Sequence, residues 1–258
     1  MLNGEDQGES DRVRVSVIVP TLNEADNLRF VLTALPDLVE EVLIVDGGST
    51  DGTVDEARRL RHDVRIIEEL RPGKGRALRT GFEEATGDIL VMIDADGSMD
   101  PREIPAMVAL LEAGADVVKG SRFLQGGGTL DMEWYRMFGN WGLLTLVRWI
   151  FGGRFSDLCY GYAAFWRDVL PTLGMEKTDG FEVETGMNVR ALRARLRVSE
   201  VASIEHRRIH GTSNLRTIPD GWRVLKQIVR LALEPSAGNH PRRRSTDRNG
   251  TLPAVPQH

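Results

Sequence analysis

The chain has 258 residues, a formal net charge of −5, and 28% charged against 41% hydrophobic residues. This mild acidity offers no general attraction to nucleic acid, and the ordinary apolar content argues for a globular protein rather than a disordered or fibrous one. The single cysteine, Cys159, excludes an intrachain disulfide and a cysteine-rich metal site, and fits a reducing compartment.

Residues 1–12 are polar and acidic, lack the apolar stretch of a secretory signal, and read as disordered. Val13 to Val19 predicts a first strand stopped by Pro20. Asn23 or Asp26 then caps a helix running to about Leu35, with Leu28, Val31, Leu32 and Leu35 on one face. Val42 to Val45 predicts a second strand ending in Asp46; after the loop Gly47-Gly48-Ser49-Thr50 a helix starts near Asp51. Val64 to Ile67 is a third strand, and Arg71-Pro72-Gly73-Lys74-Gly75 opens a helix to about Ala85. Asp88 to Ile93 is a short apolar run bounded by turn residues, which marks an interior strand of a parallel sheet. It ends in Asp94-Ala95-Asp96, with Gly97 next. Pro101 suits the first turn of the following helix, which Gly114 ends, and Ala115 to Lys119 is a fifth strand. Strands alternating with helices predict a parallel sheet with helices on both faces.

The alternation breaks after Gly120. Gln125 to Gly128 is a flexible loop. Trp134 to Phe151 predicts an aromatic, apolar helix interrupted by Arg136 and Arg148, too short and too charged to span a bilayer. It is either a core helix or one lying in a headgroup layer. Ser156 to Trp166 reads as loop then strand, Phe181 to Arg195 as helix, and Arg197 to Glu205 as strand. Pro219 starts a last helix with Trp222, Leu225, Ile228, Val229 and Ala232 on one side. The expected organisation is one domain over 13–234, with halves 13–122 and 123–234, followed by a disordered, basic, Pro-bearing tail over 235–258. The sequence holds no run of about 18 apolar residues, so no spanning helix is expected.

Two carboxylates placed two apart in extended chain point the same way. At the carboxyl end of an interior strand, Asp94 and Asp96 would face the crevice where open α/β sheets bind ligands. Their repulsion is relieved by a hard divalent cation, Mg2+ or Mn2+, whose shell is completed by water and substrate phosphates. The plainer alternative makes Asp96 a helix cap and Asp94 a turn residue. Glu24 follows the first strand and Asp46 ends the second, so carboxylates gather at one sheet edge. They could accept from nucleobase N–H groups and ribose hydroxyls, with Pro20 and Leu22 as an apolar bed. Alternatively, Glu24 is a first-turn helix charge and Asp46 a turn residue. Gly73-Lys74-Gly75 lacks the spacing of a phosphate loop, and no Gly-x-Gly-x-x-Gly follows the first strand, which argues against a dinucleotide oxidoreductase. Its glycines either let backbone approach a base or ribose, with Lys74 nearby, or simply start a helix. His206, Arg207, Arg208, His210 and Arg216, with Gly211, Thr212 and Ser213 among them, read as an anion-binding loop for a charged leaving group or acceptor. The alternative is a solvated charged face.

Pro20-Thr21-Leu22-Asn23-Glu24, then Val45-Asp46-Gly47-Gly48-Ser49-Thr50-Asp51-Gly52-Thr53, then Asp94-Ala95-Asp96 together resemble the family-two glycosyltransferases. The second half is more loosely similar to dolichol- and polyprenyl-phosphate mannosyltransferases. That likeness runs through Gly120-Ser121-Arg122-Phe123, the triple glycine, Arg136 with Asn140, Asp157 to Phe165, and Arg208-x2-Gly211-x-Ser213. The resemblance implies the GT-A fold, a Rossmann-like α/β architecture with a mixed, mainly parallel central sheet and helices on both faces. It implies hexose transfer from a nucleotide-diphospho-sugar of GDP-mannose or UDP-glucose type, with Mg2+ or Mn2+. Pro20, Leu22 and Glu24 would line the nucleotide site, and Asp46 would hold base or ribose. Asp94 and Asp96 would hold metal and diphosphate, Arg122, Arg208 and Ser213 would meet phosphates, and Asp157 would lie near sugar or acceptor.

The sequence departs from the family pattern at four positions. Gly47 stands where Asp is frequent, Ser98 where Gln is frequent, and Ala163 and Asn214 where cations are frequent. The last two thin the acceptor-phosphate side, which Arg207 or Arg216 would restore. The related glucosyl-phosphoglycerate synthases add a loop histidine to the metal shell, which here would be His206 or His210. The acceptor is expected to be a polyprenyl or dolichyl phosphate, or else a soluble phosphorylated acid, sugar or natural-product scaffold. A hydroxyl acceptor requires a base, with Asp157 or Glu184 as candidates. A nucleotide-sugar-binding protein without turnover is the reading of another class. A lipid acceptor implies a cytoplasmic protein in peripheral contact with the anionic inner face of the cell membrane, through 134–151, 218–232 and the basic tail. Nucleic acid is not an expected partner.

Overall fold

The apolar runs form strands buried between two layers of helices. The computed structural model describes residues 12–153, 155–175, 178–211 and 217–234. In chain order, β1 (Val15–Thr21) is followed by α1 (Leu28–Leu32), β2 (Val39–Asp46), α2 (Thr53–Leu60), β3 (Arg65–Glu68), α3 (Lys74–Glu84) and β4 (Ile89–Met92). A 3-10 turn over Pro101–Glu103 leads into α4 (Ile104–Glu112), then β5 (Val117–Ser121), the short β6 (Gly128–Thr129), α5 (Trp134–Phe151) and β7 (Ala163–Trp166). The last elements are α6 (Leu170–Leu173), α7 (Val183–Arg193), β8 (Val198–Ala202), β9 (Ile204–Glu205) and α8 (Thr217–Leu233).

Among the described residues the main sheet has seven strands in the order β3-β2-β1-β4-β7-β5-β8. β7 runs antiparallel to β4 and β5, and the other pairings are parallel. The sheet is therefore mixed and mainly parallel, as expected. Side chains alternate across it. Val15, Val17 and Val19 pack with α1 and α4, whereas Ile18, Leu43 and Val45 pack with α3 and α7. A third cluster joins Leu144 and Val147 of α5 to Val189 of α7 and Val224, Ile228 and Leu231 of α8.

Several boundaries differ from expectation for identifiable reasons. Pro20 does not stop β1, which pairs with β2 through Thr21. Thr21 O accepts from Gly47 N on the β2 side, and Ile18 O accepts from Ile93 N on the β4 side. Pro20 shares Ile18's side, where the β4 pairing has already ended at Met92, so its missing N–H costs no ladder bond. Neither Asn23 nor Asp26 caps α1. Asn23 takes φ +57 and accepts from Thr50 N, and α1 begins only at Leu28. The strand expected over 197–205 divides at Ser203, with β8 joining the main sheet and β9 pairing with β6. α5 has the expected bounds but buries a narrow stripe of Asn140, Leu144 and Val147. Trp134, Phe138, Trp141 and Trp149 remain 66–91% exposed, so α5 is a core helix along one side only. Among the described residues no helix is long and apolar enough to cross a membrane.

Candidate active site

β2, β1 and β4 are parallel neighbours, so their carboxyl ends lie side by side. Glu24, Asp46, Asp94 and Asp96 therefore gather at one edge, where an open α/β sheet has its crevice. β4 pairing ends at Met92, so both aspartates stand on the turn beyond the strand and meet different cations.

Lys74 Nζ lies 2.6 Å from Asp94 Oδ1 and 2.7 Å from Glu184 Oε1. The flanking glycines explain how it gets there. A Cβ on Gly73 would fall 2.1 Å from Asp179 O, and one on Gly75 would fall 2.5 Å from Thr178 O. These glycines admit the backbone leading into α7, which corrects the expectation that they admit a base or ribose. Gly161 serves the same pair, because a Cβ there would lie 2.5 Å from Glu184 Oε1 and 2.9 Å from Lys74 Nζ. Burial opposes charge on Lys74, yet Asp94 and Glu184 outweigh it and raise the ammonium pKa. Burial raises the carboxyl pKa of both Asp94 and Glu184 against the pull of Lys74. One cation is thus shared by buried Glu184 and half-buried Asp94.

Asp96 Oδ1 accepts from Ser98 N at 3.0 Å, so Asp96 shapes this turn rather than capping a helix. Its Oδ2 faces Arg208 Nη2 at 3.3 Å. Arg208 Nη1 meets Glu24 Oε1 at 2.9 Å, and Glu24 Oε2 accepts from Asn27 Nδ2 at 2.6 Å. Arg208 therefore bridges Glu24 and Asp96, and both Glu24 oxygens are already engaged. Glu24, Asp94, Asp96 and Glu184 are matched here by Lys74 and Arg208, which leaves the locus short of positive charge. Two partly exposed hard-oxygen donors in such a locus fit a divalent cation that completes its shell with phosphates and water.

Asp46 takes the turn role. Its carboxylate accepts from Gly48 N at 3.0 Å, Ser49 N at 2.8 Å, Ser49 Oγ at 2.6 Å and Thr21 Oγ1 at 3.2 Å. These bonds make Asp46 the residue that shapes the loop after β2. Beside it, Leu22 is 48% exposed and Leu70 68% exposed. A Cβ on Gly47 would touch Leu22 at 3.4 Å, and one on Gly48 would meet Leu70 at 3.2 Å. Leu22, Gly47, Gly48 and Leu70 form an apolar ledge near half-buried Pro20. The sequence reading missed Leu70; an apolar residue placed just after β3, at the edge where Leu22 follows β1, was the available signal.

Two expectations are corrected by a buried ion pair. Arg122 Nε and Nη2 meet the two oxygens of Asp157 at 2.6 and 2.9 Å, and Nη1 meets Glu205 at 3.0 Å. Asp157 is wholly buried. Burial works against its charge, but Arg122 outweighs it and holds the carboxyl below the usual range. Arg122 therefore ties β5 to the chain before β7 instead of meeting a phosphate, and Asp157 is placed neither as a base nor against a sugar.

His206 and His210 are not brought to the acidic pair. His206 lines a 580 Å³ cleft with Phe30, Met99, Leu130 and Ile209. The His210 ring lies 6.3 Å from that of Phe30. Among the described residues, no three His, Cys, Asp or Glu side chains form a metal-binding group. Ser213 and Arg216 lie outside the described residues.

Residues 16–174 match the family Glycosyl transferase family 2. The chain is 34% identical over 200 residues to an undecaprenyl-phosphate mannosyltransferase of Micrococcus luteus, covering 73% of this chain and 82% of that one. It is 32% identical over 200 residues to a polyprenol monophosphomannose synthase of Mycolicibacterium smegmatis, covering 73% and 76%. An uncharacterized glycosyltransferase of Mycobacterium tuberculosis is 42% identical over 129 residues, and the match spans 46% of this chain and 58% of that relative. The crystal structure of glucosyl-3-phosphoglycerate synthase from Mycobacterium tuberculosis with Mn2+, UDP and glucosyl-3-phosphoglycerate superposes with a TM-score of 0.68 at 25% identity. That superposition covers 86% of this chain and 81% of the synthase. The strand order, the acidic edge and these matches agree: the chain belongs to glycosyl transferase family 2 and has its GT-A fold.

Proposed function

We propose that the chain is a metal-dependent hexosyltransferase acting from a nucleotide-diphospho-sugar, of GDP-mannose or UDP-glucose type, onto a polyprenyl phosphate. The convergence of Asp94, Asp96, Lys74, Glu184 and Arg208 at the carboxyl edge of the central strands carries this reading. Asp94 and Asp96 would hold Mg2+ or Mn2+, which when bound supplies Lewis-acid neutralisation of the diphosphate. The Mn2+ and UDP bound to the superposable synthase support the choice. The Leu22–Leu70 ledge offers the base an apolar seat. Arg208 has planar N–H donors that suit a leaving diphosphate. Lys74 holds Asp94 and Glu184 in place.

A phosphate acceptor is already ionised near neutral pH, so its oxygen attacks the hexose C1 as the bond to the diphosphate breaks, with inversion and without a protein base. The named activities of the Micrococcus and Mycolicibacterium relatives support that acceptor. So do the exposed aromatic residues of α5, which suit peripheral contact with a bilayer. A soluble phosphorylated acceptor is the second reading, favoured by the glucosyl-3-phosphoglycerate synthase superposition. A hydroxyl acceptor would need a base, and with Asp157 engaged by Arg122, Glu184 is the remaining candidate.

A thermal-shift panel of nucleotide sugars with Mn2+, followed by product analysis against lipid-phosphate and soluble acceptors, tests the proposal. One donor should stabilise strongly and yield a glycosylated lipid phosphate. Transfer only to soluble acceptors would replace the first reading by the second. Donor binding without transfer to either class would leave a non-catalytic binding protein.

A further inference from the structure

Arg208 sits at the middle of a strap whose ends are both fastened. At one end, His206 N donates to Ser98 O at 2.8 Å. At the other, the His210 peptide is read by one side chain. His210 N donates to Asn27 Oδ1 at 3.0 Å, and Asn27 Nδ2 donates to His210 O at 3.1 Å. The same Nδ2 donates to Glu24 Oε2 at 2.6 Å, and Glu24 Oε1 holds Arg208. Asn27 is 3% exposed, so these bonds face little competition from water.

The position of Asn27 makes this pattern informative. It immediately precedes α1, where an asparagine side chain ordinarily accepts from the first-turn amides. Here the side chain makes no cap bond. It turns away from its own helix to a segment 183 residues later in sequence. A purely local role would leave the cap in place.

We infer that Asn27 is the positioning residue of this site. Its amide clamps the His210 peptide, holds Glu24 in line, and so fixes the Arg208 guanidinium over Asp96. The inference rests on the transferase reading for its kinetic consequence, whereas the clamp itself is tested without substrate.

Asn27→Ser is the informative variant. Asn27 makes no cap bond, so α1 loses none in this variant, and the serine side chain is too short to span to His210. The variant should retain its circular dichroism spectrum and a thermal midpoint close to that of wild type. Native-state cleavage by trypsin after Arg207 and Arg208, followed by mass spectrometry, should accelerate at least about tenfold as the strap opens locally. Amide exchange at His210, slow in the wild type, should become fast. With donor and acceptor, kcat should fall about 10²-fold, the scale of a displaced catalytic group, with a smaller change in donor KM. In an Arg208→Ala background the same substitution should lower kcat no further, because both changes remove one interaction.

Unchanged tryptic cleavage, or losses that add fully in the double variant, would overturn the inference. Fast exchange of the His210 amide in the wild type would overturn it as well, and that measurement needs no variant to fold. If the wild type turns over no donor, the transferase reading fails, while cleavage and exchange still decide whether Asn27 is the clamp.

Discussion

Lys74 joins two acids that are distant in sequence, and the consequences of removing either are unequal. Asp94→Ala leaves Lys74 paired with Glu184, so no buried charge is stranded. Transfer should fall by at least about 10³-fold while the thermal midpoint holds, because the lost carboxylate acts on the transition state. Wild-type-like turnover by that variant would remove the metal proposal. Asp157→Asn should do the reverse. It breaks a buried, bidentate pair with Arg122, at a cost of about 3–5 kcal/mol in urea unfolding near neutral pH. The folded Asp157 carboxyl is depressed, so on acidification the unfolded chain takes up its proton first. The stabilisation is therefore complete above the ordinary aspartate range near about 4 and is lost as pH falls towards the folded value. The difference between variant and wild type should be level from about pH 5 to 7 and should shrink below about pH 4. At this scale the sequence displayed charges but not partners. Asp94 and Asp96 were legible because they end an unmistakable apolar run. Arg122 and Asp157, 35 residues apart, carry nothing local that shows they neutralise each other. Asn27 carried no local sign of its role, and it reaches across the site to the His210 peptide.

Elements with strong local signals fell where the residue pattern put them. α5 runs from Trp134 to Phe151 and ends at Gly152, whose φ of +74 suits a helix stop. α1 is shorter than its apolar face suggests. The backbone turns at Glu24, whose carbonyl accepts from Asn27 N and Leu28 N, and Pro36 lies soon after the helix. α5 also carries the test of the acceptor class. Trp141 and Trp149 point away from the cluster shared with α7 and α8, being 66% and 91% exposed. Trp141→Ala with Trp149→Ala should change folding stability by no more than about 0.5 kcal/mol per site. It should weaken flotation with anionic vesicles by about tenfold or more, the effect of one large apolar side chain lost from an interface. Equal flotation by wild type and variant would exclude these residues from membrane contact. A wild type that never floats at low salt would favour the soluble acceptor.

Across the whole molecule, a ligand that binds the folded state alone stabilises it by mass action. A donor sugar at 100 times its dissociation constant adds about 2.7 kcal/mol, or roughly 5–10 °C for a chain of this size. Chelation should cancel most of that rise if a divalent cation links the donor to Asp94 and Asp96. A shift that survives EDTA intact would argue that the donor is held without metal. The sheet's first four strands could be anticipated from the alternation of strands and helices. The place of β7 could not, because it follows the break after Gly120 and its four residues carry no mark of direction. Its insertion bears on the protein's synthesis. β5 has β7 and β8 as its neighbours, and β7 also covers the open flank of β4. A nascent chain extruded through Ser121 would expose an unpaired β4 margin beside an orphaned β5 until Ala163 to Trp166 clears the ribosome. Translational arrest inside that window should yield insoluble product, and release beyond α8, which completes the third apolar cluster, should not.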